Sequence, residues 1–135
     1  KYRDKAYFDK NSWHWKNLEK HMKSIKEISK NNNLIGPILM SMNSGFGQEV
    51  IDFKNPPPGY IKFLNWHKEI EKEGCRQGYY VFNQINELTS VKNRKSTVVN
   101  KWDDHPSEDL HYIYADNLKK NIIKLINIGN KNNYC

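Results

Sequence analysis

The sequence predicts a three-layer α/β domain, helices covering a parallel sheet, of which this chain supplies about half. Three observations carry that expectation. Helical and strand patterns alternate along the 135 residues. The best strand segment is a nearly unbroken apolar run, which suits a strand covered on both faces. Strands joined through helices cross over with a right hand and pair in parallel. Only two good strands are visible, so the rest of the sheet is expected from outside the chain. The whole of 1–135 reads as one partial domain, with 1–11 and 130–135 as flexible ends.

The elements follow in order. Ser12 is an N-cap for a helix over 13–31, in which Trp15, Leu18, Met22, Ile25 and Ile28 recur at helical spacing. Three asparagines, Asn31 to Asn33, stop it. The apolar run 34–42 is the doubly covered strand, its central part starting after Pro37, which cannot donate to a ladder. Residues 43–59 hold three glycines and three consecutive prolines and read as a long surface loop, in which Gly45–Gly59 is a candidate substrate lid. A second helix spans 60–73, with Tyr60, Phe63, Leu64, His67 and Ile70 on one face and Gly74 at its end. Gly78 to Asn83 is aromatic and β-branched and reads as a second strand. Thr97, Val98 and Val99 form a short extended piece. The last helix starts near Pro106 and Ser107 and aligns Leu110, Ile113, Tyr114, Leu118, Ile122, Leu125 and Ile126 before Gly129.

Composition narrows the function. The chain is 37% hydrophobic and 27% charged, and its 13% aromatic content argues for a folded domain. The net charge is +7. Lysine and arginine are spread over most segments and interleaved with acids, without a block of like charge, so the basic surface reads as solvated and nucleic acid is not the expected partner. No apolar run reaches the ~18 residues of a membrane span. Two cysteines, Cys75 and Cys135, fit neither a disulfide framework nor a metal spacing, and they leave the redox compartment open.

The chemistry concentrates in Trp102-Asp103-Asp104-His105-Pro106-Ser107, running into the last helix. In open parallel sheets, reactive groups gather in loops at the carboxyl ends of strands. A histidine there can act as base to a hydroxyl nucleophile and then as acid to the leaving alcohol, and a carboxylate two positions earlier can orient its ring. The interval from His105-Pro106-Ser107 to His111, Ala115 and Leu118 resembles the C-terminal block of the SGNH (GDSL-like) hydrolases. That resemblance implies a flavodoxin-like parallel-sheet fold and a serine esterase or O-acyl transferase acting on an ester, with a carbohydrate-linked ester as one candidate. It implies His105 as general base and acid, Asp103 as the orienting carboxylate, and no metal or organic cofactor. Asp104 also adjoins the histidine, and Leu110 stands where the family has a small residue.

The family's Gly-Asp-Ser nucleophile block and Gly-x-Asn-Asp-like block are missing from the sequence. The nucleophile is therefore expected outside this chain, in a missing N-terminal half or a partner chain. Ser44, in Asn43-Ser44-Gly45, lacks the nucleophile-elbow pattern and reads as a loop residue. Trp102 is a candidate pocket wall. His14 and His21 have no third ligand nearby and read as surface or packing residues. His67 reads as a packing residue, and His111 as structural. The alternative function is a non-catalytic binding or assembly module that uses a basic, aromatic surface.

Overall fold

A computed structural model describes residues 9–41, 58–84, 98–100 and 103–128. Helix α1 (Trp13–Asn31) begins where the Ser12 hydroxyl accepts the Trp15 N–H at 3.1 Å. It ends with the Asn32 N–H donating to Ile28 O at 3.1 Å and the Leu34 N–H to Ser29 O at 2.9 Å, across Asn33 at φ 54°. Asparagine tolerates that left-handed backbone better than most residues. Strand β1 (Ile38–Ser41) follows Pro37. Helix α2 (Pro58–Gln77) leads into β2 (Tyr80–Asn83). The hairpin of β3 (Val98–Asn100) and β4 (Asp103–Pro106) precedes α3 (Glu108–Ile128).

The three-layer, flavodoxin-like fold expected from the sequence is not formed. Most of the described chain is helical, and the parallel sheet is a single pair, β1 and β2. The Tyr80 N–H donates to Pro37 O at 3.0 Å and the Gln84 N–H to Ser41 O at 3.2 Å, one ladder read in one direction. The other two strands pair antiparallel, in a sheet of their own. The run expected to be buried on both faces is not: Leu34 is 61% exposed, Ile35 52% and Ile38 37%. Leu34 and Ile35 precede the strand; within β1 Ile38 is exposed, Leu39 and Met40 are half-buried and Ser41 is buried, less cover than a central strand of a three-layer sheet receives.

The chain divides into two compact units. In the first, described over 9–39 and 65–81, α1 buries Trp15, Met22 and Ser29. These recur every seven residues, two helical turns, so they form one narrow seam. Ile25 and Ile28, expected in the core, are exposed. Buried Tyr79 ties the seam, its hydroxyl donating to Met22 O at 2.7 Å. Gly74 does not end α2. The helix continues to Gln77 and stops at Gly78 (φ 77°), whose N–H donates to Cys75 O at 2.9 Å. Gly74 is instead where α2 passes closely over Leu39 and Val81. Lys10, just before α1, pairs with Glu69 at 2.7 Å.

In the second unit, described over 40–41, 58–64, 82–84, 98–100 and 103–128, the buried residues include Phe82, Leu110, Tyr114 and Leu125. The α3 seam also carries amides. Asn117 donates to the fully buried Gln84 carbonyl at 2.6 Å, and Asn121 donates to Asn117 O at 2.9 Å. Ile126, expected in the core, is 58% exposed. No described helix is long and apolar enough to cross a membrane.

Candidate functional site

The predicted acid–base block does not lie in a turn. Asp103, Asp104, His105 and Pro106 form β4, with Asp103 opposite Asn100 and Pro106 opposite Val98. Two steps along β3 thus match three along β4, so β4 carries one extra residue between its two pairings. Such a bulge bends a strand and re-aims its side chains, and bulges are common beside active sites. It also breaks strict alternation, so spacing does not select Asp103 over Asp104. The side chains of both acids, and all of Trp102, Ser44 and 42–57, lie outside the described residues.

His105 is exposed. Two residues later the chain enters α3 through a cap. The Ser107 hydroxyl accepts the Leu110 N–H at 3.2 Å, and Ser107 O accepts the His111 N–H at 3.0 Å. Glu108 and Asp109 occupy the first turn, where carboxylates meet the positive end of the helix dipole. Ser107 is therefore committed to capping, and His111 is exposed on the first turn. Strand and helix fix the backbone on the C-terminal side of His105, as a base requires if its ring is to be held for proton transfer.

The other histidines play the roles expected of packing and surface residues. His14 sits edge-on to Trp13, ring centroids 5.1 Å apart. His67 is half-buried; burial pushes its imidazole below the ordinary value, against the pull of Glu71. Among the described residues no group of three His, Cys, Asp or Glu side chains could hold a metal.

A second feature lies in the first unit and was not anticipated. A groove of about 650 Å³ runs along α1 beside the C-terminal end of α2, lined by Lys16, Glu19, Lys20, Lys23, Lys26, Glu27, Arg76 and Gln77. Three of its lining residues, Glu19, Arg76 and Gln77, belong to a polar network with Glu73. Glu73, nearly buried, accepts from Arg76 Nε at 2.8 Å and from Gln77. Burial pushes the Glu73 carboxyl up, but the bonds from Arg76 and Gln77 and the nearby positive charge outweigh it and hold the group below its ordinary value. Arg76 also reaches Glu19 at 3.3 Å, and Trp15 Nε1 donates to the same Glu19 oxygen at 3.2 Å. Cys75, between Gly74 and Arg76, is disulfide-bonded, and Cys135 is the only other cysteine in the chain.

The lysine row was legible. Residues 16, 20, 23 and 30 are three, four or seven apart, the spacing of one helix face. Counted along the chain these charges look interleaved; placed around a helix they line up. No protein-family model, curated protein or solved structure matches this chain.

Proposed function

We propose that the β3–β4 hairpin and the start of α3 carry the acid–base half of an SGNH-type site that cleaves or transfers an acyl ester. The observation that supports this reading is an exposed histidine on a bulged strand, two residues after Asp103, leading directly into a capped helix. His105 takes the proton of a serine hydroxyl as that oxygen attacks the ester carbonyl. It returns the proton to the departing alkoxide, leaving an acyl-serine. Water or an acceptor alcohol, deprotonated by the same imidazole, then releases the acyl group. Asp103 orients the ring and stabilises its charged form. The serine is one that this sequence does not present in a nucleophile block.

The test is hydrolysis of an aryl acetate by the full product that carries this sequence. His105→Ala should lower the rate by about 10²–10⁴-fold with unchanged melting behaviour. Asp103→Asn should fall in the same direction, and Asp104→Asn should not. Full activity in His105→Ala refutes the assignment. A second reading, a non-catalytic binding module, draws support from the lysine row of α1; an inactive product that still binds its partner would favour it.

A further inference from the structure

We propose that the groove of α1 and the C-terminal part of α2 binds a linear anionic polysaccharide, whose sulfate or carboxylate groups meet Lys16, Lys20 and Lys23. The inference holds whether or not the chain is catalytic. Five cationic and two acidic side chains line the groove, and the acids do not neutralise the row. Glu19 is already taken by Arg76 and Trp15. Lys26 is anchored, its ammonium donating to Gly78 O at 3.1 Å, and forms a fixed wall. Lys16, Lys20 and Lys23 are exposed and have no ion-pair partner among the described residues, leaving Glu27 as the one uncommitted acid in the lining.

The arrangement suits a polymer better than a single anion. Side chains three and four apart on a helix stand about 5–6 Å from one another, so the row offers charges at short, regular steps along a line. Lys30, exposed and on the same face, continues it. A lone phosphate would need convergent donors, whereas Lys16, Lys20 and Lys23 are spread along about two turns of α1. Among polyanions, single-stranded nucleic acid is disfavoured because its binding sites rely on aromatic stacking platforms, and among the described residues no aromatic side chain lines this groove. The disulfide at Cys75 points the same way. Disulfides persist in oxidising compartments and are rare in cytosolic and nuclear proteins, where nucleic acid is concentrated. The network under Arg76 holds the groove wall in place without ligand, which lowers the ordering cost of binding.

The experiment is binding of the intact, oxidised chain to heparin as the probe. The triple variant K16Q/K20Q/K23Q is compared with K68Q/K119Q/K124Q, which removes the same charge from exposed lysines elsewhere. The groove variant should bind about tenfold more weakly at physiological salt and show a shallower dependence of log Kd on log salt, as lost ionic contacts require. The control triple should change Kd by less than about twofold, the share that net charge alone contributes through long-range attraction. The triple K16R/K20R/K23R should retain binding. Equal losses in the groove and control variants overturn the proposal, because net charge would then be the whole effect. Duplex DNA that binds more tightly than heparin at the same salt also overturns it and assigns the groove to nucleic acid. If the groove triple melts early, the single variant K23Q decides: an unchanged Kd refutes the proposal, and a loss of about twofold supports it.

Discussion

Replacing Gly74 by alanine sets two effects of similar size against each other, and the structure says which wins. Gly74 lies inside α2, three residues before its end. Alanine there gains about 0.8–1.0 kcal/mol of helix propensity. Against this, a Cβ at position 74 would stand 2.6 Å from Leu39 Cδ2 and 3.1 Å from Val81 Cγ2. Carbon atoms prefer about 3.5–4.0 Å, so both contacts are compressed. The Leu39 methyl ends a flexible side chain and can swing away. Val81 is β-branched and stiff at χ1, so the helix itself must lift from β2. Overpacking of this kind costs about 1–3 kcal/mol.

The expected balance is a loss of about 1 kcal/mol, or about 4 °C in Tm for a chain of this size. Thermal melting followed by circular dichroism measures it. The sharper test is a cycle with Val81→Ala, which removes the methyl that cannot swing away. In that background Gly74→Ala should become neutral or stabilising, with a coupling of about 1 kcal/mol. A Tm that rises for Gly74→Ala alone, or a coupling near zero, would refute the close approach of α2 to β2.

Three further outcomes follow from the same unit. Tyr79→Phe removes the hydroxyl that donates to Met22 O at 2.7 Å in a buried setting, and should cost about 1 kcal/mol, read as a lower urea midpoint with unchanged m. Reducing the disulfide at Cys75 should cost about 2–4 kcal/mol, measured by paired urea titrations with and without reductant; Cys75→Ser should reproduce the loss and abolish the reductant effect. Hydrogen bonds from Lys10 and Lys72 hold the Glu69 carboxyl near about 2, below its ordinary 4.5. A depressed carboxyl stabilises the fold fully above its unfolded value and loses that contribution as pH falls toward the folded one. Acid titrations of Glu69→Gln should therefore show a flatter decline between about 4.5 and about 2 than the parent; identical curves would exclude this pair as a source of acid sensitivity.

Local signals were the legible part of this chain. The limits of α1 follow from the Ser12 cap and the asparagine stop, and β1 begins after Pro37 because proline cannot join the ladder. Where two glycines compete, sequence favours the wrong one, Gly74. Gly74 and Gly78 both suit a helix end; only the proximity of Leu39 and Val81 explains a glycine inside the helix, and that is tertiary information. The layers failed for a related reason. Alternating helices and strands imply a parallel sheet only if the strands find enough partners, and β1 finds one among the described residues. The apolar run around it then marks exposed Leu34 and Ile35 rather than a covered strand.

The acid–base block shows the limit of motif spacing. Asp103, Asp104 and Pro106 have low strand propensity, so the block read as a turn, and its strand character comes from pairing with Val98 and Asn100. Once β4 is bulged, an interval of two residues no longer guarantees a shared face, and the choice between the two acids passes from spacing to the Asp103→Asn and Asp104→Asn comparison. The lysine row inverts that lesson. Its spacing held the information from the start, because Lys16, Lys20 and Lys23 can share a face only if the segment is helical, and the caps of α1 had already made it so. Charge read as an angle around a predicted helix, rather than as a run along the chain, reveals the lysine row on which the proposed polyanion surface rests.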